Sequence, residues 1–364
     1  MFMSLEVFEK LKDGQRLNSE DALSLFASDN LFEIGQAAAG VAYKLHGNKV
    51  YYTRNHHINP TNICVNRCKF CAFSRSSGQA GAYALTIDDI VEKLKASQQP
   101  PVEVHVVGGL HPDWPFDYYL NMLTTIKDNF PKVHIKAFTA VEIDYLSRIS
   151  GLDLCQTLLT LKAHGLDTMP GGGAEIFANT VRQTLCPEKI SAERWLTVHE
   201  TAHKMNIKTN ATMLYRHVES YQDRVEHLMA LRQLQDRTGG FQAFVPLSFQ
   251  PLTTVESGII DRNTQIDAPF PSAIDDLKTI AISRLVLDNV PHIKAYWIML
   301  GEKLTQTALL FGASDVDGTV MEEKIAHSAG ADSGLMHTVE ELKHMLRKAG
   351  KIPVQRNAFY EEID

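Results

Sequence analysis

Val102-Glu103-Val104-His105-Val106-Val107 is a strand-like run that leads through Gly108-Gly109-Leu110-His111-Pro112-Asp113 into an amphipathic stretch at Tyr118–Phe130. A second strand-like run follows at Val133–Phe138. Strand, helix and strand in that order make a parallel βαβ unit. The alternation continues on both sides. Further strand-like runs occur at His57–Ile63, Met169–Ile176, Lys208–Leu214, Phe241–Phe249, His292–Leu300 and Ala313–Val320. Helical periodicity marks Ile87–Ala96, Ala192–Met205, Arg224–Gln235 and Ile274–Leu287. About eight such units predict an α/β fold of the (β/α)8 TIM-barrel type, although periodicity does not distinguish a closed ring from an open sheet.

The flanks read differently. Helical spacing from Ser4 to Leu11, an Asn18-led cap ahead of Leu23, Leu25 and Phe26, and an alanine-rich stretch from Leu31 to about Leu45 predict an N-terminal helical cap over residues 1–50. The barrel is assigned to 51–338. Residues 339–364 are read as a C-terminal helix (Val339–Gly350) with an extended tail containing Pro353, packed on the barrel. With 364 residues the chain can bury a large core without disulfides. Its formal charge of −7 supplies no polybasic footprint for nucleic acid or an anionic membrane. No apolar run reaches the ~18 residues of a membrane helix, and the acidic start does not read as a signal peptide. A cytoplasmic protein is therefore expected.

In a barrel of this type the chemistry sits on loops at the carboxyl ends of the strands, and those ends are crowded here. The first strand runs into Cys64-Val65-Asn66-Arg67-Cys68-Lys69-Phe70-Cys71 and the second into Gly108–Asp113. The fourth carries Gly171-Gly172-Gly173 and Glu175, the fifth ends at Tyr215-Arg216-His217, and the eighth holds Asp315 and Asp317. Three of the five cysteines lie within eight positions, so three thiolates can converge on one centre. Three is one fewer than a four-cysteine zinc site or a closed iron–sulfur cluster takes. A [4Fe–4S] cluster held by them would keep one iron open to a small molecule. Arg67 and Lys69 are expected to favour thiolate. Two other readings stand beside this one: a zinc site of three cysteines and one histidine, using His56 or His57, and an electron-transfer cluster with Cys155 or Cys186 as fourth ligand. Cys155 reads as lying on a core-facing helix face, and Cys186 as a buried residue before Pro187.

A C-x3-C-x-aromatic-C array after a first strand resembles the signature of radical S-adenosylmethionine (SAM) enzymes. The resemblance implies a radical SAM barrel with Cys64, Cys68 and Cys71 on the cluster, Phe70 beside the adenine, and Gly108 and Gly109 at the methionine end of SAM. Only bare backbone approaches a ligand that closely. Asn55–Asn62, Gly108–Trp114 and Met169–Ile176 resemble a clan of menaquinone and deazaflavin enzymes. Phe116–Tyr119, Ile135–Ile143, Asn210–Tyr215 and Asp315–Thr319 are most similar to its aminofutalosine synthase family.

That resemblance implies a synthase that consumes SAM, acts on 3-[(1-carboxyvinyl)oxy]benzoate and takes its electron from reduced flavodoxin or ferredoxin. The substrate is a dianion, so cations or donors must meet it. The candidates at strand ends are His111, Lys136, Arg216 and His217, with Glu175 better suited to the ribose or ammonium of SAM. Each has a structural counterpart: a turn-stabilising His111, a buried structural Glu175, solvated Arg216 and His217. Asp315 and Asp317 are expected to cap a turn at Gly318 or close the barrel mouth. A cyclase acting on dehypoxanthine futalosine is the alternative within the clan, and an iron–sulfur carrier or sensor is the alternative outside it.

Overall fold

The computed structural model describes residues 2–97, 100–250, 272–328, 334 and 336–363. Seven parallel strands pair in chain order: β2 (Asn55–Ile58), β3 (Glu103–Val106), β4 (His134–Ala137), β5 (Thr168–Met169), β6 (Lys208–Tyr215), β7 (Phe241–Ser248) and β8 (His292–Ile293). A second sheet holds β1 (Lys49–Thr53) between β10 (Ile352–Gln355) and β9 (Asp315–Gly318). Two parallel bridges, Lys294 to Asp315 and His56 to Met321, join the sheets, so the β9 segment takes the eighth place in the ring. The extended tail expected after the last helix is thus a strand, paired with β1 from Lys49–Ile352 to Tyr52–Gln355.

The helices that periodicity places are found with shifts of a few residues, and Ala140–Ser150, Asn179–Leu185, Trp297–Ala308 and Ile325–Ser328 are helices it did not place. The full set includes α1 (Phe2–Lys12), α2 (Ser19–Ala27), α3 (Leu31–His46), α4 (Ile87–Lys95), α5 (Phe116–Asn129), α6 (Ala140–Ser150), α7 (Leu154–Ala163), α8 (Asn179–Leu185), α9 (Ala192–Lys204), α10 (Tyr221–Thr238), α11 (Ala273–Val286), α12 (Trp297–Ala308), α13 (Ile325–Ser328) and α14 (Val339–Lys348). Asn18 caps α2 as expected. Its side chain accepts from the Asp21 amide at 2.8 Å, and Asp21 accepts from the Asn18 amide at 2.9 Å. One hydrophobic core runs from Val7 in α1 through the strands to Leu346 in α14. The N-terminal helices share it: Lys278 of α11 donates to the Phe26 and Ser28 carbonyls at 3.0 and 2.7 Å.

Four strand readings shorten or turn out differently, the first being the His57–Ile63 run, which ends at Ile58. The Met169–Ile176 run keeps only Thr168–Met169, because Pro170 has no N–H to donate and three glycines then turn the chain. The His292–Leu300 run ends at Ile293, and Trp297 already opens α12. The Ala313–Val320 run narrows to Asp315–Gly318. Among the helices, Cys155 is exposed on α7, not turned to the core. The strand ends carry uncommon backbone. Phe138, Glu175, Arg216 and Asp317 all have positive φ, at 62, 48, 69 and 74°. Non-glycine residues adopt this region rarely, and when they do it is often beside functional sites.

Candidate active site

The cysteine loop is tied down by backbone. Cys64 N–H donates to Arg75 O (3.1 Å), Val65 N–H to Leu110 O (3.0 Å), Lys69 N–H to Leu185 O (2.8 Å) and Cys71 N–H to Cys68 O (3.0 Å). The Arg67 guanidinium, expected to act on the thiols, is held on the Cys64 carbonyl and on Ser76 Oγ (2.9 Å). Burial pushes the Cys68 thiol up to about 12 and also raises Cys64. Neither is a thiolate near neutral pH until a metal takes the place of its proton. The cation that opposes this burial at both thiols is Lys189, which the sequence reading missed.

Cys64, Cys68, Cys71, Phe70, Gly108, Gly109 and Glu175 all line one cavity of about 340 Å³. Among the described residues no three His, Cys, Asp or Glu side chains gather closely enough to hold a single metal ion. Zinc demands its ligands around one centre. Three thiols that share one cavity suit a multi-iron cluster, in which different irons take different thiolates. Lys189 donates to Glu175 Oε1, and its Nζ lies 5.1 Å from the Phe70 ring centroid.

The fold gives the glycine pair a steric reason of its own. A Cβ on Gly109 would drive into the Ile63 carbonyl, 2.8 Å from its carbon, and stand 3.1 Å from Cys64 Cβ. A Cβ on Gly108 would meet Thr61 O at 3.1 Å. The cysteine loop itself therefore excludes side chains here. Gly108 N–H donates to Glu142 Oε1 (3.1 Å), while Glu142 Oε2 accepts from the Thr139 amide and hydroxyl at 2.7 and 2.8 Å. Burial raises the Glu142 carboxyl to about 7 despite these donors.

The expected cations do not reach this cavity. His111 stacks on Trp114 (centroids 4.5 Å apart), and its Nδ1 accepts from the Asp113 amide at 3.1 Å, so it braces its turn. Arg216 is buried, with Nη1 on Ser248 Oγ (3.0 Å) and Asp276 Oδ1 (3.1 Å). His217 is also buried, with Nδ1 2.9 Å from Glu219 Oε2 and Nε2 2.9 Å from Leu214 O. Lys136 forms a buried ion pair with Glu103 at 2.7 Å. In their place the cavity wall presents Lys294, His57, His105 and Asn210. Asp317 lines the wall too and holds Lys294, whereas Asp315 pairs with Arg356 at 2.6 Å. Burial alone would raise the Asp317 carboxyl, but the neighbouring Lys294 ammonium holds it well below the usual range. Burial lowers His57 and lowers His105 further, so both stay neutral. A strict period-two reading of the strands could have found His105, because alternate residues share one face.

Residues 58–231 match the radical SAM superfamily, and residues 238–364 match the CofH/MqnC C-terminal region. The chain is 44% identical over 360 residues to an aminodeoxyfutalosine synthase of Thermus thermophilus, covering 99% of this chain and 95% of that protein. It is 40% identical over 360 residues to a 5-amino-6-(D-ribitylamino)uracil–L-tyrosine 4-hydroxyphenyl transferase of Methanococcoides burtonii, covering 98% of this chain and 99% of that protein. The crystal structure of methylornithine synthase superposes with a TM-score of 0.74 at 17% identity, over 95% of this chain and 97% of that one, and so shares the fold. The chain belongs to the radical SAM superfamily and, within it, to the enzyme family of the aminodeoxyfutalosine synthases.

Proposed function

We propose that this enzyme joins the 5′-deoxyadenosyl group of SAM to 3-[(1-carboxyvinyl)oxy]benzoate. The adenosyl radical adds to the enol-ether double bond, the skeleton rearranges onto the ring, and the acrylate carboxylate leaves as CO2 or bicarbonate with the loss of one electron. That electron offsets the one spent in splitting the sulfonium and makes the overall reaction redox-neutral. The products are 6-amino-6-deoxyfutalosine and methionine. Cys64, Cys68 and Cys71 would hold a [4Fe–4S] cluster, with its fourth iron left to the amino and carboxylate groups of SAM. When bound, the cluster supplies the electron that splits the sulfonium, delivered in the cell by reduced flavodoxin or ferredoxin.

The chain's own residues orient and shield. Phe70 packs beside the adenine, the Gly108–Gly109 backbone faces the methionine end, and Glu175, held by Lys189, accepts from the SAM ribose or ammonium. Val245, Leu247, Phe249 and Met299 supply an apolar wall on which a carbon radical finds few polar groups and little water. His111, Arg216 and His217 have no catalytic part in this reading and brace the loops around the cavity. The observation that carries it is the cavity itself: it opens from the cysteine loop, and its walls bear both the polar and the apolar groups that an aromatic acid needs.

The test is anaerobic reconstitution followed by incubation with SAM, a reductant and the enolpyruvyl benzoate. Mass spectrometry is expected to find an adenosine–benzoate adduct that has lost one carboxylate. Free 5′-deoxyadenosine with the benzoate untouched would sink the assignment. A parallel incubation with 5-amino-6-(D-ribitylamino)uracil and tyrosine checks the activity named for the transferase relatives, and no product is expected there.

A further inference from the structure

The cavity has a polar floor that the cluster and SAM do not account for. His105 lies three residues before Gly108, about 10 Å further down the strand path. His57 is its register partner on β2, with ring centroids 4.5 Å apart. Lys294 follows β8, is 3% exposed in its side chain, and donates to Asp317 Oδ1. At and below the floor, Glu103, Asp315 and Asp317 face Lys136, Lys294 and Arg356, three charges of each sign among the described residues.

Donors are left over at this floor. An ammonium has three hydrogens. Asp317 takes one from Lys294, and Asp315 Oδ1, at 3.7 Å, is beyond hydrogen-bond reach. His105 Nε2 is shielded from solvent without a partner among the described residues, and so is Oδ1 of Asn210, which is 5% exposed on β6. With its hydrogen on Nε2, His105 donates. The Asn210 amide, turned over, presents N–H to the same cavity. Buried polar atoms without partners are rare and call for an explanation. The groups here suit an anion with two oxygens. A cationic ligand end finds less, because the Asp317 oxygens already accept from Lys294 and from Asn55 (3.2 Å). Asp317 itself sits at a φ of 74°, a conformation that non-glycine residues adopt rarely.

We infer that Lys294, oriented by Asp317 and assisted by His105 and Asn210, is the recognition subsite for the ring carboxylate of the substrate. The inference rests on the proposed reaction for the choice of ligand. The enol-ether end must lie at the cysteine loop, which leaves the benzoate carboxylate as the end that reaches the floor.

The experiment measures binding without turnover. Reconstituted holoenzyme is titrated calorimetrically with 3-[(1-carboxyvinyl)oxy]benzoate and with 2-phenoxyacrylate, which lacks the ring carboxylate. The wild type is expected to prefer the former by about 30-fold, the range of a charge-assisted hydrogen bond. In Lys294→Gln the preference should collapse to within about 3-fold, with SAM affinity unchanged, and Lys294→Arg should restore part of it. Because Lys294→Gln leaves buried carboxylates uncompensated, the double variant Lys294→Gln/Asp317→Asn provides a charge-balanced form in case the single one does not fold. A wild type without preference, or a preference that survives in both variants, overturns the subsite. A preference lost as expected in a protein that forms no adduct keeps the subsite and overturns the proposed reaction instead.

Discussion

Gly109 sits where the backbone of the cysteine loop leaves no volume for a side chain, with the Ile63 carbonyl carbon 2.8 Å and Cys64 Cβ 3.1 Å from where its Cβ would be. Gly109→Ala must displace the first cysteine of the array. It is expected to lower stability by about 1–3 kcal/mol, the usual cost of overpacking, and to reduce the iron bound after reconstitution. Thermal melting and iron analysis read the two effects separately, and unchanged iron would show that the loop can move aside. The sequence displayed this glycine pair plainly but not its reason, since the obstacle comes from a loop some 45 residues earlier in the chain. At the cavity floor the residues were in view and their roles were not. Asp317 read as a turn or mouth residue, and only its contact with Lys294 brings it into the cavity wall.

At the scale of elements, β10 turns a tail into part of the frame. Arg356, the next residue after it, is fully buried, with Nε 2.6 Å from Asp315 Oδ2 and its guanidinium 4.0 Å from the Tyr360 ring centroid. Asp315 in turn lies on β9, two residues before the aspartate that holds Lys294. Arg356→Met leaves Asp315 without its principal partner in the core. Breaking a buried pair from one side costs about 3–5 kcal/mol, so a markedly lower denaturation midpoint is expected, and a midpoint within error of wild type would contradict the pairing. Pro353 masked the strand in the sequence. It is tolerated in β10 because the strand lies at the edge of the three-stranded sheet.

The whole molecule buries much of its histidine. Burial pushes His56 and His203 down to about 4 and His227 to about 3. At pH above about 6.5, folded and unfolded chains are both neutral at these rings. Below it the unfolded chain takes up protons that the fold refuses, so stability falls as the pH drops from 6.5 towards 4. Each such group contributes on the order of 3 kcal/mol to the loss. Urea midpoints measured from pH 7 to pH 4.5 should decline steadily, and His203→Gln should flatten part of the slope. The strongly periodic helices, the parallel α/β class and the three-cysteine loop were legible in the sequence, because periodicity, caps and close cysteine spacing are local properties. The cations that face the cavity were not. Arg216 is captured by Asp276, 60 positions away, and Lys136 by Glu103, 33 away, while Lys294 meets Asp317 only after the β9 segment has completed the ring. A charged side chain in a low-dielectric interior is placed by whichever opposite charge the fold brings to it. That partner is chosen by the packing of distant strands, which only the tertiary structure decides.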